Sequence, residues 1–160
     1  MQRRSLAFPK LTPEYFKPLL DLSQALEKGR LGRRLLELVF LRISQLNGCA
    51  HCLDMHTRAL LEAGEDPQRI ATLAGWRETA FFDARERAVL DWAERVTAIQ
   101  DAEALDASAA ELARHLDEAQ VAELTFAVAE INAWNRLAIA LRAPVQRAPL
   151  PKAKTAVAAA

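Results

Sequence analysis

The chain has 160 residues, of which 51% are hydrophobic and 26% charged, so it is long enough for one domain with a sizeable core and too apolar to be disordered. Its 21 lysines and arginines equal its 21 aspartates and glutamates, so no basic surplus indicates a nucleic-acid partner or an anionic membrane. No apolar stretch could cross a bilayer and the N-terminus lacks the apolar segment of a signal peptide, which predicts a cytoplasmic protein with no membrane partner.

Helix start and stop signals follow one another from the beginning of the chain. Thr12 followed by Pro13 marks a helix start, and Gly29 marks the end of that helix. A second helix is predicted over residues 31–46, closing at Gly48, because glycine adopts left-handed backbone geometry without steric cost.

Further helices are predicted through the remainder of the chain. A third begins near Cys49 and stops at Gly64, and a short fourth runs from Asp66 to Gly75. Three patterns resembling capping boxes mark later starts, the last opening a long helix to about Leu141: Asp83 with Glu86, Ser108 with Glu111, and Asp117 with Gln120. Because strand signals are nearly absent, the sequence predicts an all-α fold.

The composition changes after the last predicted helix. Residues 144–160 consist largely of Pro, Ala and Lys and end in an alanine-rich stretch. Such a segment cannot build a core of its own. We therefore predict a helical domain over residues 1–143 and a flexible tail over residues 144–160.

Five residues in the second and third predicted helices suggest thiol chemistry assisted by proton donors and acceptors. Cys49 and Cys52, the two cysteines of the chain, are separated by two residues; His51 lies between them and His56 follows. Glu37 precedes them inside an apolar run. In a cytoplasmic protein, a Cys-x-x-Cys pair indicates a redox or metal site and not a secreted disulfide framework.

The predicted helix places three of these residues on one face. Cys49 falls at the helix N-terminus, where free N–H groups and the helix dipole favour a thiolate. Cys52 and His56 follow at spacings of three and four residues, so His56 can reach the Cys52 sulfur.

Glu37 and His51 complete the candidate site less directly. Desolvation should raise the pKa of Glu37 and make it a proton store, unless a nearby arginine pairs with it. If the two helices fold back antiparallel, Glu37 shares a pocket with His56. On an ideal helix His51 points elsewhere, so it should join the site only if the first turn is irregular.

Two other interpretations of these residues remain open. The cysteines could be small buried hydrophobic residues. Alternatively, Cys49, Cys52 and His56 could bind zinc with Glu37 or His51 as the fourth ligand. Zinc is disfavoured because a second cysteine or histidine pair is missing, and a thioredoxin-like site because its βαβ context is missing.

The pattern from Glu37 through Cys49, His51 and Cys52 to His56 resembles the signature of the alkylhydroperoxidase D-like group in the carboxymuconolactone decarboxylase superfamily. Residues 131–138 are similar to the closing segment of that group. The resemblance implies an orthogonal bundle of about six to eight helices that forms trimers or hexamers. It implies the peroxidase branch, since the decarboxylases of the superfamily lack the cysteine pair.

The resemblance also implies roles for the five residues. Cys52 resembles the peroxidatic cysteine and Cys49 its resolving partner, while Glu37 and His56 resemble a proton relay and His51 an auxiliary histidine. It implies that no haem, flavin or metal cofactor is needed and that the reductant is a dithiol, such as a lipoyl protein. This assignment of Cys52 differs from the expectation from helix geometry, because the helix dipole most directly activates Cys49.

These observations together predict a thiol peroxidase acting on organic hydroperoxides. The alternatives are a redox-active disulfide reductant, a redox-regulated binding module and a zinc-stabilised helical protein. A surplus of aromatic side chains also favours a homo-oligomer, although an ordinary core would use the same residues: Trp76, Phe81, Phe82, Trp92 and Trp134.

Overall fold

A computed structural model describes residues 5–99 and 102–152 of the chain. This part forms eight α-helices: α1 (Phe8–Leu11), α2 (Pro13–Glu27), α3 (Arg33–Asn47), α4 (Ala50–Glu62), α5 (Pro67–Thr72), α6 (Ala84–Ala98), α7 (Ala102–Leu112) and α8 (Glu118–Ala140). A 3-10 helix, Leu73–Glu78, continues from α5. Because the described ranges contain no strand, the predicted all-α fold is confirmed.

Side-chain caps explain where α6 and α8 begin. Asp83 and Asp117 each accept a hydrogen bond from the backbone of the third helical residue, and the side chain of that residue bonds back to the N-cap backbone. Both capping boxes match the sequence prediction. The third predicted box is wrong, because Ser108 lies buried inside α7, which is already helical from Ala102.

Helices α3 and α4 form a tight antiparallel hairpin around Gly48. Gly48 adopts the left-handed conformation, with φ 69° and ψ 34°, and ends α3. The backbone N–H of Cys49 then bonds to the Ser44 carbonyl at 3.1 Å, closing the turn. This hairpin meets the condition under which Glu37 and His56 share a pocket, and it carries most of the candidate site.

Helix α3 is the centre of the domain and packs against α4, α6 and α8. One face of α3 joins a hydrophobic cluster with α6 and α8, in which Val39 and Ile43 are fully buried. The other face, at Leu38 and Leu41, packs against the 3-10 helix and α4. A helix buried on nearly all sides explains the continuous apolar run seen in the sequence.

Most of the aromatic residues named above lie inside the domain. Trp76 and Phe82 are each 3% exposed and belong to the second core cluster. Trp92 and Trp134 pack against the larger cluster, while Phe81 is exposed. The ordinary-core explanation therefore accounts for most of this set, and the homo-oligomer stays a prediction.

Residues 144–152 follow the last helix without regular secondary structure. The Arg58 guanidinium on α4 donates hydrogen bonds to the carbonyl oxygens of Ala148 and Pro149, at 2.9 and 2.7 Å. The part of the predicted tail over residues 153–160 lies outside the described residues. None of the described helices is both long enough and apolar enough to cross a membrane.

Candidate active site

A cavity of about 630 Å³ opens between α2, α3, α4 and α8. Its walls are mostly apolar, with Phe16, Phe40 and Trp134 among the larger contributors. Four of the five residues singled out in the sequence line this cavity: Glu37, His51, Cys52 and His56. The fold therefore brings them to one enclosed space.

The two cysteines form a close pair of free thiols. Their Sγ atoms lie 2.9 Å apart, and each residue is 1% exposed. Cys52 is the member of the pair that lines the cavity. A substrate in the cavity would therefore meet the Cys52 sulfur, with the Cys49 sulfur already within reach of it.

Cys49 caps α4, as its predicted position at the helix N-terminus requires. Its sulfur accepts a hydrogen bond from the backbone N–H of Cys52 at 3.4 Å. Burial raises the pKa of Cys52 to about 12, and the adjoining Cys49 sulfur adds to the rise. Hydrogen bonds from Asn135 and Ser44 lower the same pKa, but burial prevails.

Glu37 and His56 form a buried hydrogen-bonded pair at the cavity wall. His56 Nδ1 lies 2.7 Å from Glu37 Oε2, and the two residues are 6% and 5% exposed. Since a carboxylate only accepts hydrogen bonds, Nδ1 carries the proton of this contact, and a neutral His56 has its lone pair on Nε2. His56 Nε2 is buried and has no hydrogen-bond partner among the described residues, so it can act as a proton acceptor.

Glu37 has partners, as the alternative weighed in the sequence analysis allowed. Besides His56, the guanidinium of Arg33 approaches it, with Arg33 Nε 3.8 Å from Glu37 Oε1. The Arg33 side chain is 60% exposed, so this contribution is screened by water. His56 is therefore the closer and better shielded of the two partners of Glu37.

His51 occupies a different part of the same cavity. Its Nδ1 donates a hydrogen bond to the carbonyl oxygen of Pro144 at 3.0 Å, which links α4 to the C-terminal segment. His51 lies in the first turn of α4 and lines the cavity, and its part in the site stays a prediction. Ala143 and Pro144 line the same cavity as His51.

One buried carboxyl group in the cavity was missed in the sequence. Glu130 on α8 is 4% exposed, and its Oε1 accepts hydrogen bonds from Ser23 and from Trp134 Nε1. Burial raises the pKa of Glu130. Glu130 is a single carboxylate in an apolar helical run, which is the same sequence signal that identified Glu37. This signal could have identified Glu130 as well.

A polar network behind the cysteines was also missed. Ser44 and Asn135 are fully buried next to Cys52, and Asn47 bonds to Asn135. These residues are spread between α3 and the far end of α8, so no local pattern connects them.

The described ranges contain no group of three or more His, Cys, Asp or Glu side chains placed to hold a metal ion. Glu37 and His56 are instead bonded to each other, and the two sulfurs face each other. This geometry gives no support to the zinc alternative.

Comparison with known proteins places the chain in a family. Residues 13–95 match the model of the carboxymuconolactone decarboxylase family. The uncharacterized protein YdfG of Bacillus subtilis is 35% identical over 136 residues, which is 85% of this chain and 92% of that protein.

Solved structures agree on the fold. A protein of unknown function from Agrobacterium tumefaciens, for which an antioxidant-defence role as AhpD has been suggested, is 34% identical with a TM-score of 0.84, covering 90% of this chain and 100% of that one. A peroxidase-related protein from Ralstonia eutropha JMP134, described as an alkylhydroperoxidase AhpD core, is 23% identical with a TM-score of 0.72, covering 82% of this chain and 70% of that one. The alkylhydroperoxidase D-like helical fold implied by the sequence is confirmed.

Proposed function

The chain belongs to the carboxymuconolactone decarboxylase family, as an alkylhydroperoxidase D-like member, and from this premise we propose that it is a cysteine-based peroxidase that reduces organic hydroperoxides. The family and its structural neighbours support a peroxidase-related role in general. The particular reaction rests on one observation, a pair of free sulfurs 2.9 Å apart at the wall of a cavity that also holds a glutamate–histidine pair.

In the first step, the Cys52 thiolate attacks the terminal oxygen of the hydroperoxide. The O–O bond breaks, sulfur is oxidised to the sulfenic acid, and an alkoxide leaves, which takes up a proton to become the alcohol. Because the pKa of Cys52 is raised to about 12, almost no thiolate exists at neutral pH without help. We assign the removal of this proton, and its return to the alkoxide, to His56 with Glu37 behind it.

In the second step, the Cys49 thiol attacks the Cys52 sulfenic acid. A disulfide forms and water leaves, which protects Cys52 from further oxidation. The short distance between the sulfurs supports this role, because the resolving thiol needs no large movement to reach its partner. Cys49 thus acts as the resolving cysteine.

A dithiol then reduces the disulfide by exchange and returns both cysteines to thiols. A lipoyl protein or a small dithiol is the proposed donor, as the family resemblance implies. The cycle suits a cytoplasmic location, where thiols are kept reduced. We also propose a trimer or hexamer, which the exposed apolar side chains of Leu11, Tyr15 and Phe126 support.

A steady-state assay with cumene hydroperoxide and a dithiol donor tests the function. Cys52→Ser should abolish turnover, because a serine hydroxyl cannot be oxidised to a sulfenic acid. Cys49→Ser should allow at most one turnover before Cys52 over-oxidises. Undiminished peroxide consumption by Cys52→Ser would refute the assignment. Rapid disulfide exchange with protein thiols, without peroxide consumption by the wild type, would favour the disulfide-reductant alternative.

The same assay examines the proton relay through Glu37→Gln. The amide retains the shape of the side chain but cannot stabilise an imidazolium, so turnover should fall at least about tenfold, since positioned proton transfer contributes roughly 10²–10⁴-fold. Equal activity of this variant and the wild type across pH would remove Glu37 from the relay.

A further inference from the structure

The proposed catalytic cycle leaves one buried carboxyl group of the cavity unused. Glu130 on α8 lines the cavity together with Cys52 and His56, and it is 4% exposed. Its Oε1 accepts hydrogen bonds from the Ser23 hydroxyl and from Trp134 Nε1. Both contacts fall on the same oxygen, so Oε2 is the atom that Glu130 offers to a molecule in the cavity.

The surroundings of Glu130 favour its neutral, protonated form. Both of its hydrogen-bond partners are neutral, whereas Glu37 has His56 and Arg33 beside it. A buried carboxylate with only neutral donors is costly, because no opposite charge offsets the loss of water. Burial accordingly raises the pKa of Glu130, although the two donors oppose the rise. Since Oε1 is used as an acceptor, the acid proton lies on Oε2.

Helix α8 places this carboxyl group level with the glutamate–histidine pair. Near the starts of α3 and α8, the backbone N–H of Leu31 donates to Glu123 Oε1 at 3.1 Å. Near their ends, Asn135 Nδ2 donates to Ser44 Oγ at 3.0 Å. The two helices therefore run side by side in the same direction. Glu130 lies about midway between these contacts, opposite the middle of α3, which carries the glutamate of the pair.

The reacting sulfur lies close to this level of the cavity. His56 follows Cys52 by about one turn of α4, roughly 5.4 Å of helix. A thiolate approaches a peroxide in line with the O–O bond, so the leaving oxygen lies beyond the attacked oxygen, away from the sulfur and inside the cavity. An acid that protonates this oxygen must line the same cavity, as Glu130 does.

We propose that Glu130 is a second catalytic carboxyl group, the general acid that protonates the alkoxide as the O–O bond breaks. His56 takes the proton of Cys52, the sulfur bonds to the terminal oxygen, and Glu130 Oε2 gives its proton to the leaving oxygen. The products are the sulfenic acid and the alcohol, with His56 protonated and Glu130 ionised. Passage of the His56 proton to Glu130 then restores both groups, so the return of the Cys52 proton is indirect. This role rests on the proposed peroxidase function.

The test compares two oxidants that differ in the base they release. Cumene hydroperoxide releases an alkoxide, which needs a proton, whereas 3-chloroperoxybenzoic acid releases a carboxylate, which does not. Glu130→Gln keeps a carbonyl oxygen for Ser23 and Trp134 but has no acid proton. Its single-turnover rate of oxidation by cumene hydroperoxide should fall at least about tenfold, since positioned proton transfer contributes roughly 10²–10⁴-fold. Its rate with the peracid should not fall.

The matched control is Glu62→Gln, at an exposed position of α4, which should leave both rates unchanged. A damaged cavity would slow both oxidants together, so equal losses in Glu130→Gln would overturn the proposal. Wild-type rates of Glu130→Gln with both oxidants would overturn it as well, while leaving the peroxidase function in place. A wild-type protein that neither oxidant oxidises would reject the proposed function and the role of Glu130 with it.

Discussion

Glu37 and Glu130 are two buried carboxyl groups on the wall of one cavity, and they have different hydrogen-bond partners. Glu37 is bonded to His56 and approached by Arg33, both of which can carry positive charge. Glu130 accepts from Ser23 and Trp134, which are neutral donors. Burial accordingly raises the pKa of Glu130, so this residue costs stability when it ionises.

Replacement of Glu130 with Gln should therefore stabilise the fold in a pH-dependent way. Gln keeps a carbonyl oxygen for Ser23 and Trp134 but cannot ionise. The folded-state pKa of Glu130 lies above its unfolded value, so its penalty is absent below the unfolded pKa and complete above the folded pKa. Thermal denaturation should show no advantage of Glu130→Gln in acid and a growing advantage as pH rises to neutrality.

The control for this experiment is Glu62→Gln, which removes a charge at an exposed position of α4. An advantage of Glu130→Gln that is the same in acid and at neutral pH would contradict the account. Such a result would mean that packing, and not ionisation, distinguishes the two side chains.

At the scale of residues, the sequence identified the groups that lie close together along the chain. Cys49, Cys52 and His56 belong to one helix, and Glu37 is reached by folding that helix back on its neighbour. Ser44 and Asn135 could not be found in this way. They are 91 positions apart, and their contact depends on how α8 docks against α3.

At the scale of elements, the α3–α4 hairpin depends on the backbone of Gly48. Its φ of 69° is unfavourable for any residue with a Cβ, although a Cβ built there meets no described atom within 4 Å. The requirement for glycine is therefore conformational and not one of space.

Gly48→Ala should lower the free energy of unfolding by about 1–2 kcal/mol, the usual cost of a left-handed conformation for a residue with a side chain. Gly75→Ala is the matched control, because Gly75 also has open space around it but a φ of −110°. Its effect should be only a few tenths of a kcal/mol. Urea denaturation of both variants measures the difference, and equal losses would show that Gly48 is not under conformational constraint.

The sequence predicted a helix start correctly where the capping residue directly precedes its helix. Asp83 and Asp117 cap the helices that follow them, and both were identified by the residue three positions later. Ser108 with Glu111 has the same spacing but lies within α7. The pattern is ambiguous because residues three apart also neighbour each other inside a helix, and the alanine-rich stretch before Ser108 favours a helix that is already under way.

At the scale of the whole molecule, ionic contacts connect the elements around the hairpin. Arg69 donates to both Glu65 and Glu86, and Arg34 on α3 approaches the same two carboxylates. Both glutamates are nearly inaccessible to solvent, so these contacts compensate for buried charge that would otherwise destabilise the fold. They connect α3, α5 and α6 next to the hairpin.

The cavity is a property of the complete fold and could not be read from the helices alone. Residues 5–9 form part of its wall, and the N–H of Leu6 bonds to the carbonyl of Leu141 at 3.0 Å. On the other side, Ala143 and Pro144 meet His51. The sequence predicted the all-α class and the single helical domain, but these closing contacts join the two ends of the described chain and leave no local pattern. The flexibility predicted for residues 144–160 stays a prediction.

The central claim is that Cys49 and Cys52 pass through a disulfide when the protein reduces a hydroperoxide. Titration of the fully reduced protein with cumene hydroperoxide, followed by mass measurement of the chain and its peptides, tests it most directly. We predict consumption of one equivalent of peroxide per chain and the loss of two hydrogen atoms, located between Cys49 and Cys52, and reversed by a dithiol. Peroxide that is left unconsumed, or consumed while both cysteines remain thiols, would contradict the account.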